Sequence, residues 1–78
     1  MAFVTSFEPD DREIKGLHPT QVVCKYMTAE RDGKSVLQLN TYGSNERAMP
    51  DKQSQTIQIG EDAARQLLTI LKKEFGDV

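Results

Sequence analysis

Ser35-Val-Leu-Gln-Leu-Asn-Thr-Tyr42, Ser54-Gln-Thr-Ile-Gln-Ile59 and the segment 61–75 are the parts of the sequence that decide the fold. The first two segments alternate apolar and polar residues, a period of two that is typical of half-buried β-strands. In the third segment, apolar residues recur at three- and four-residue spacing, which predicts an amphipathic α-helix. A polar stretch, 43–52, separates the two strands. The order strand, loop, strand, helix predicts an α+β domain.

The size and composition of the chain indicate one small domain. Its 78 residues, of which 37% are hydrophobic, fit a single domain over 1–78. A domain this short buries little apolar surface and often needs a further source of stability. The single cysteine cannot form an internal disulfide, and no metal-ligand framework is visible. Oligomerisation remains, so we expect a homodimer.

The rest of the chain extends this architecture toward the N-terminus. Residues 1–20 predict a less regular strand and loop, in which 3–7 alternates like a strand. Residues 21–59 predict antiparallel strands, the first of them over 21–28. The expected fold is therefore a curved antiparallel sheet of about four strands, followed by one long C-terminal amphipathic helix over 61–75.

The dipeptide Asp32-Gly33 sets the register of the central hairpin, because it favours a two-residue type I′ turn. Arg31 then pairs with Lys34, and the pairing continues to Cys24–Thr41 and Val23–Tyr42. The same register places the apolar residues of three strands on one side of the sheet, the apolar face, and predicts that Cys24 is buried there. The apolar face comprises Val22, Cys24, Tyr26, Leu37, Leu39, Ile57 and Ile59.

The helix carries signals at both ends. Gly60 and Gly76 are suitable residues just before and just after it. Acidic residues in its first turn and lysines in its last turn complement the helix dipole. Its apolar surface is wider than one stripe, which leaves part of it for a second copy of the chain. The predicted dimer interface is Leu67, Ile70, Leu71 and Phe75.

No constellation for catalysis is visible, so the expected protein is not an enzyme and needs no cofactor. His18 is the only histidine, lies in a polar loop and has no partner at metal-ligand spacing. The glycines stand alone, which excludes a phosphate-binding loop. The N-terminal segment has no basic region or long apolar run, which predicts a cytoplasmic protein with no membrane partner.

The polar side of the sheet, the polar face, is the candidate functional surface. Binders of single-stranded nucleic acid need cations along the backbone path and aromatic rings on which bases stack. Tyr42, with Phe7 as a second aromatic, supplies rings. The other interpretation is the ordinary solvated side of an antiparallel sheet. The candidate nucleic-acid-binding residues are Lys25, Arg31, Lys34, Gln38, Asn40, Tyr42, Arg47, Lys52 and Gln58.

A family resemblance supports the nucleic-acid interpretation. The segments 37–42, Gly43-Ser-Asn-Glu-Arg47 and Gln55-Thr-Ile-Gln-Ile-Gly60, followed by an amphipathic helix, resemble the core of the transcriptional positive cofactor four family and its small bacterial relatives. Those proteins are single-stranded DNA-binding coactivators. The resemblance implies a twisted antiparallel sheet and a C-terminal helix that dimerises. It also implies that Tyr42 matches the family's strand-end aromatic, and that Arg47 and Lys52 match its basic loop.

Two functions therefore stand at the sequence level. The first is a non-enzymatic single-stranded nucleic-acid-binding module, a small DNA-binding or transcription-associated protein. The second is a small protein–protein interaction or inhibitor protein, such as a phage-type antagonist, which acts through an acidic surface. The formal net charge of −2 suits the second function and confines any nucleic-acid affinity to a local patch. The acidic surface would comprise Glu8, Asp10, Asp11 and Glu13.

Overall fold

The structure is a computed structural model that describes residues 1–43 and 53–77. It contains an open four-stranded sheet and one C-terminal helix, which confirms the predicted α+β class. The helix has the predicted bounds, and the two central strands match their predictions to within one residue. The elements are β1 Ala2–Val4, β2 Cys24–Arg31, β3 Lys34–Tyr42, β4 Gln53–Ile59 and α1 Glu61–Phe75.

The sheet has the order β1-β4-β3-β2 and is mixed rather than wholly antiparallel. Strands β2 and β3 pair antiparallel, as do β3 and β4, whereas β1 runs parallel to β4. The expectation of a purely antiparallel sheet is therefore wrong at this edge. Alternation of apolar and polar residues shows that a segment is a strand but carries no information on the direction of its neighbour. β1 is also shorter than the predicted strand over 3–7.

The hairpin between β2 and β3 has the predicted turn and register. Asp32 and Gly33 both adopt positive φ, 54° and 78°, as a type I′ turn requires. Arg31 pairs with Lys34, and the ladder continues in the predicted register to Cys24–Thr41. The predicted pair one step further, between residues 23 and 42, is wrong, because β2 begins at Cys24 and not at 21.

A β-bulge interrupts the pairing of β3 with β4. Thr41 pairs with Gln55 but Tyr42 pairs with Gln53, so Ser54 is an extra residue without an opposite partner. The Ser54 hydroxyl lies 2.9 Å from that of Thr41. Because a bulge shifts the alternation by one residue, Gln53 shares the face of Tyr42 instead of the face that strict alternation assigns to it.

Helix α1 begins and ends at glycines. Gly60 precedes it in an extended conformation, and Gly76 ends it with a φ of 78° while its N–H donates to the carbonyl of Lys72 at 3.0 Å. Only glycine adopts such a φ at low cost, which explains the residue type at this end. In the first turn, Glu61 and Asp62 both accept hydrogen bonds from Arg65.

Two side-chain acceptors of the helix bind backbone outside it. Glu61 Oε2 accepts a hydrogen bond from the N–H of Ser35 at 3.1 Å, at the start of β3. Gln66 Oε1 accepts one from the N–H of Phe7 at 2.6 Å. The first turns of the helix are therefore attached both to the central hairpin and to the segment that follows β1.

The hydrophobic core of the described residues is very small. Its fully buried members are Ile59 and Ala63, each 1% exposed, on either side of the strand-to-helix junction. The predicted burial of Cys24 is wrong, since its side chain is exposed, and Tyr26 on the same face is 72% exposed. Both residues lie on β2, which is an edge strand, whereas the helix packs nearest to β3.

Candidate nucleic-acid interface

A continuous chain of side-chain hydrogen bonds, the polar ladder, crosses the polar face of the two central strands. Gln58 Nε2 donates to Gln38 Oε1 at 2.8 Å, and Gln38 Nε2 donates to Asn40 Oδ1 at 3.0 Å. The hydroxyl of Thr56 donates to the same Asn40 oxygen at 3.0 Å and accepts a hydrogen bond from Gln53 Nε2. Strand pairing places these residues in neighbouring rows, with Gln38 opposite Gln58 and Asn40 opposite Thr56.

The centre of the polar ladder is buried, which sequence alternation does not predict. Asn40 is 1% exposed and Thr56 is 6% exposed, while Gln38 and Gln58 are half-buried. The expectation that Asn40 is displayed to solvent is therefore wrong. Polar side chains can be buried when they satisfy one another's hydrogen bonds, and the ladder supplies those bonds.

One donor of the ladder is unsatisfied. Asn40 Oδ1 accepts two hydrogen bonds, but the buried Asn40 Nδ2 has no partner among residues 1–43 and 53–77. A buried donor without an acceptor costs about 1–3 kcal/mol. Such groups are rare in folded proteins, and each calls for an explanation.

Lys25 and Tyr42 form the second feature of the polar face. The Lys25 ammonium nitrogen lies 5.1 Å from the centre of the Tyr42 ring, within range of a cation–π interaction. Lys25 is directly opposite Asn40 in the β2–β3 ladder, and Tyr42 is two residues further along β3. A cation and an aromatic ring therefore lie together beside Asn40.

Arg31 and Lys34 lie apart from that pair. They are opposite each other at the hairpin turn, six residues along β2 from Lys25, which is roughly 20 Å at about 3.3 Å per residue. There they line an open groove of about 490 Å³, into which the acidic first turn of the helix also contributes Glu61 and Asp62. The predicted cations of the hairpin thus form two separate groups, and the one at the turn is partly offset by carboxylates.

The remaining predicted residues fall into two groups. Arg47 and Lys52 lie outside the described residues. In the predicted dimer interface, Leu67 and Leu71 are half-buried within the single chain, whereas Ile70 and Phe75 are exposed. Leu68, which was not predicted as an interface residue, is also exposed.

The structure adds two residues to the polar face that the sequence did not indicate. Gln53 joins it because of the bulge at Ser54, for which the sequence contains no distinct signal. Phe3 joins it because β1 pairs with β4, which places Phe3 beside Gln58. Phe3 is half exposed, whereas the predicted second aromatic, Phe7, is held near the helix through its backbone.

Two titratable residues outside the polar face, His18 and Asp10, form hydrogen bonds with residues close to them in the sequence. His18 is exposed, and its Nδ1 accepts a hydrogen bond from the N–H of Thr20 at 3.1 Å. Hydrogen bonds from the Arg12 side chain and backbone N–H lower the pKa of the exposed Asp10 carboxyl. Within the described part of the chain, no group of three His, Cys, Asp or Glu residues is arranged to hold a metal ion.

The helix that the structure describes within residues 53–77 is too short and too polar to cross a bilayer.

The comparisons with known proteins add no relative. No protein-family model, curated protein or solved structure matches this chain.

Proposed function

We propose that this protein is a non-enzymatic module that binds single-stranded nucleic acid on the polar face of its sheet. The observation that supports this proposal most directly is the Lys25–Tyr42 pair, a cation held over an aromatic ring beside the buried polar ladder. Stacking platforms with adjacent cations are the means by which proteins bind single strands without a duplex.

The energies favour exchange of the lysine for a base. A cation–π contact at an exposed site contributes about 0.5–1 kcal/mol. A base stacked on an aromatic side chain contributes about 1–3 kcal/mol. A base can therefore replace the Lys25 ammonium on the Tyr42 ring. The long, flexible lysine side chain then becomes available to a phosphate of the same strand.

Fluorescence anisotropy with a labelled oligothymidine tests the proposal. Tyr42→Ala should weaken binding about tenfold or more, because the stacking surface is lost. Lys25→Gln should weaken binding of all sequences and reduce the salt slope by about 0.7, the value for one phosphate contact with a single strand. Tyr26→Ala is the matched control: Tyr26 is an exposed tyrosine of the same hairpin on the opposite face, and its loss should leave the affinity unchanged.

Two results would count against the proposal. Absence of binding by the wild-type chain at low salt would end the nucleic-acid interpretation. Binding that Tyr26→Ala weakens as much as Tyr42→Ala would move the site to the apolar face.

We also propose that the chain forms a homodimer. Ile59 and Ala63 are the buried hydrophobic residues of the described part, which is little for a stable domain. Several large apolar side chains remain exposed on the helix and the apolar face, among them Leu68, Ile70 and Phe75. A second copy of the chain would cover them. Sedimentation at micromolar concentration should give twice the chain mass, and a clean monomer would contradict the dimer.

A further inference from the structure

The side-chain amide of Asn40, whose NH₂ group has no partner among the described residues, has a definite orientation. Its oxygen accepts hydrogen bonds from Gln38 on the same strand and from Thr56 on β4. Since the two ends of an amide point apart, Asn40 Nδ2 is turned away from both of these donors. Among the described residues, the neighbours on that other side are Lys25, directly opposite on β2, and Tyr42, two residues along β3. From the partners of the oxygen and the strand register, we infer that the donor lies on the side of the cation–aromatic pair.

The polar ladder fixes the amide in this orientation. A flip of Asn40 would place its NH₂ group against the Nε2 of Gln38, which donates to the Asn40 oxygen and cannot accept; the Thr56 hydroxyl can accept as well as donate and does not oppose the flip. Gln38 is itself held by the hydrogen bond from Gln58. The orientation of Asn40 is thus set by hydrogen bonds that begin at Gln58 on β4, two strands away from Lys25 on β2. A donor held in place in this way, and without a partner among residues 1–43 and 53–77, is prepared for an additional acceptor.

We propose that Asn40 Nδ2 donates a hydrogen bond to a carbonyl oxygen of the nucleobase that stacks on Tyr42. This inference rests on the function proposed above and specifies its ligand as a carbonyl-bearing base, for which thymine is the probe. In the free chain the donor is buried, on the side of Asn40 that the strand register assigns to Lys25 and Tyr42. When Lys25 moves from the ring to a phosphate, the base takes its place and brings an acceptor to the buried amide donor.

The groups around the Asn40 donor favour a base over a phosphate as its acceptor. The amide is neutral and lies beside an aromatic ring, so a planar, uncharged group gains both a hydrogen bond and a stacking contact. A phosphate gains nothing from the ring and is better bound by the mobile Lys25. A water molecule is the remaining candidate, since buried unpaired donors commonly bind one. Neither a phosphate nor a water would make binding depend on the acceptor atoms of the base.

The test separates hydrogen bonding from stacking. Affinity is measured for oligothymidine and for an oligonucleotide of difluorotoluene nucleosides, which have the shape of thymine but whose fluorines are poor acceptors. The wild-type chain should prefer oligothymidine roughly threefold to tenfold, the effect of one neutral hydrogen bond. Asn40→Asp at pH 8 should abolish that preference. Its added charge affects both strands alike, because the two carry the same number of phosphates, and so cancels in the ratio.

A second variant and a control complete the experiment. Asn40→Leu keeps the γ-branched shape of the side chain in a larger residue, adds no charge and lacks the donor, so it should also abolish the preference. Circular dichroism verifies that each variant is folded. Thr41→Val changes the next residue, whose side chain lies on the opposite face, and should keep the preference. An affinity ratio between the two strands that is unchanged in both Asn40 variants overturns the inference. A wild-type ratio of one overturns it as well. In either case the proposed function survives if Tyr42→Ala still weakens binding. If the wild-type chain binds neither strand, both proposals fail together.

Discussion

Ile57 and Ile59 offer a sensitive test of the burial seen in the structure. They lie two residues apart on β4 and share the apolar face, but Ile59 is 1% exposed whereas Ile57 is 37% exposed. Replacement of either by alanine removes three carbon atoms. At about 0.8 kcal/mol per buried carbon, the transfer free energy lost is about 2.4 kcal/mol for Ile59 and, in proportion to burial, about 1.5 kcal/mol for Ile57.

The cavity left behind increases the difference. At a fully buried position the total cost of Ile→Ala falls in the range of about 2–5 kcal/mol, because the surroundings relax only in part. At Ile57, solvent already reaches the side chain and no closed cavity forms. In a domain of this size, 1 kcal/mol lowers Tm by about 4–8 °C. Ile59→Ala should therefore lower Tm by at least 10 °C, and Ile57→Ala by roughly half the shift of Ile59→Ala.

Thermal unfolding followed by circular dichroism measures both shifts, and a series of protein concentrations adds a second result. At concentrations where the chain sediments as a monomer, equal shifts for the two variants would refute the burial argument. Where the chain is a dimer and the second copy covers the apolar face, the cost of Ile57→Ala should rise with concentration, whereas that of Ile59→Ala should change little.

Three further predictions concern the turn, the helix and the N-terminal loop. Gly33→Val should destabilise the chain by about 1–3 kcal/mol in denaturant unfolding, because a β-branched residue is strained at φ 78°; an unchanged midpoint would contradict the turn type. Ala63→Leu should cost about 1–3 kcal/mol through overpacking, whereas Ala64→Leu, at an exposed position, should be nearly neutral. Arg12→Ala should raise the pKa of Asp10 toward its ordinary value in an NMR titration. The pKa of Asp10 is depressed when the pair forms. The contribution of the pair to the stability of the folded state is therefore present above the ordinary pKa of the carboxyl and is lost as the pH falls through the lowered value.

The parts of the fold that follow from local signals could be predicted from the sequence. A type I′ turn requires positive φ at two consecutive residues, and Asp32-Gly33 is a dipeptide that tolerates it. This dipeptide therefore indicates the turn and with it the register of β2 and β3. Glycines on both sides of a regular apolar repeat give the bounds of the helix. In each case a few neighbouring residues determine the backbone, and no distant contact has to be known.

The features that depend on distant contacts could not be predicted. The parallel pairing of β1 depends on which edge of the sheet is free, and the bulge at Ser54 depends on how two strands of unequal length meet. The candidate site was predicted only in part. Lys25, Asn40 and Tyr42 were predicted to share a face, which the strand pairing supports. The burial of Asn40 was missed, because it results from mutual hydrogen bonding across strands and not from alternation.

The parallel pairing of β1 has a consequence for the order in which the sheet assembles. Residues that pair between β1 and β4 are 55 positions apart in the chain, as in Ala2 with Ile57, whereas the β2–β3 hairpin closes over a two-residue turn. Hairpins form within microseconds, and the closure of long loops costs more entropy. We expect β1 to join last, after the helix has formed. Until then the outer edge of β4 is an open strand edge that can pair with another chain. Exchange of β1 between two copies during synthesis or refolding would then compete with correct assembly, and high protein concentration would favour the exchange.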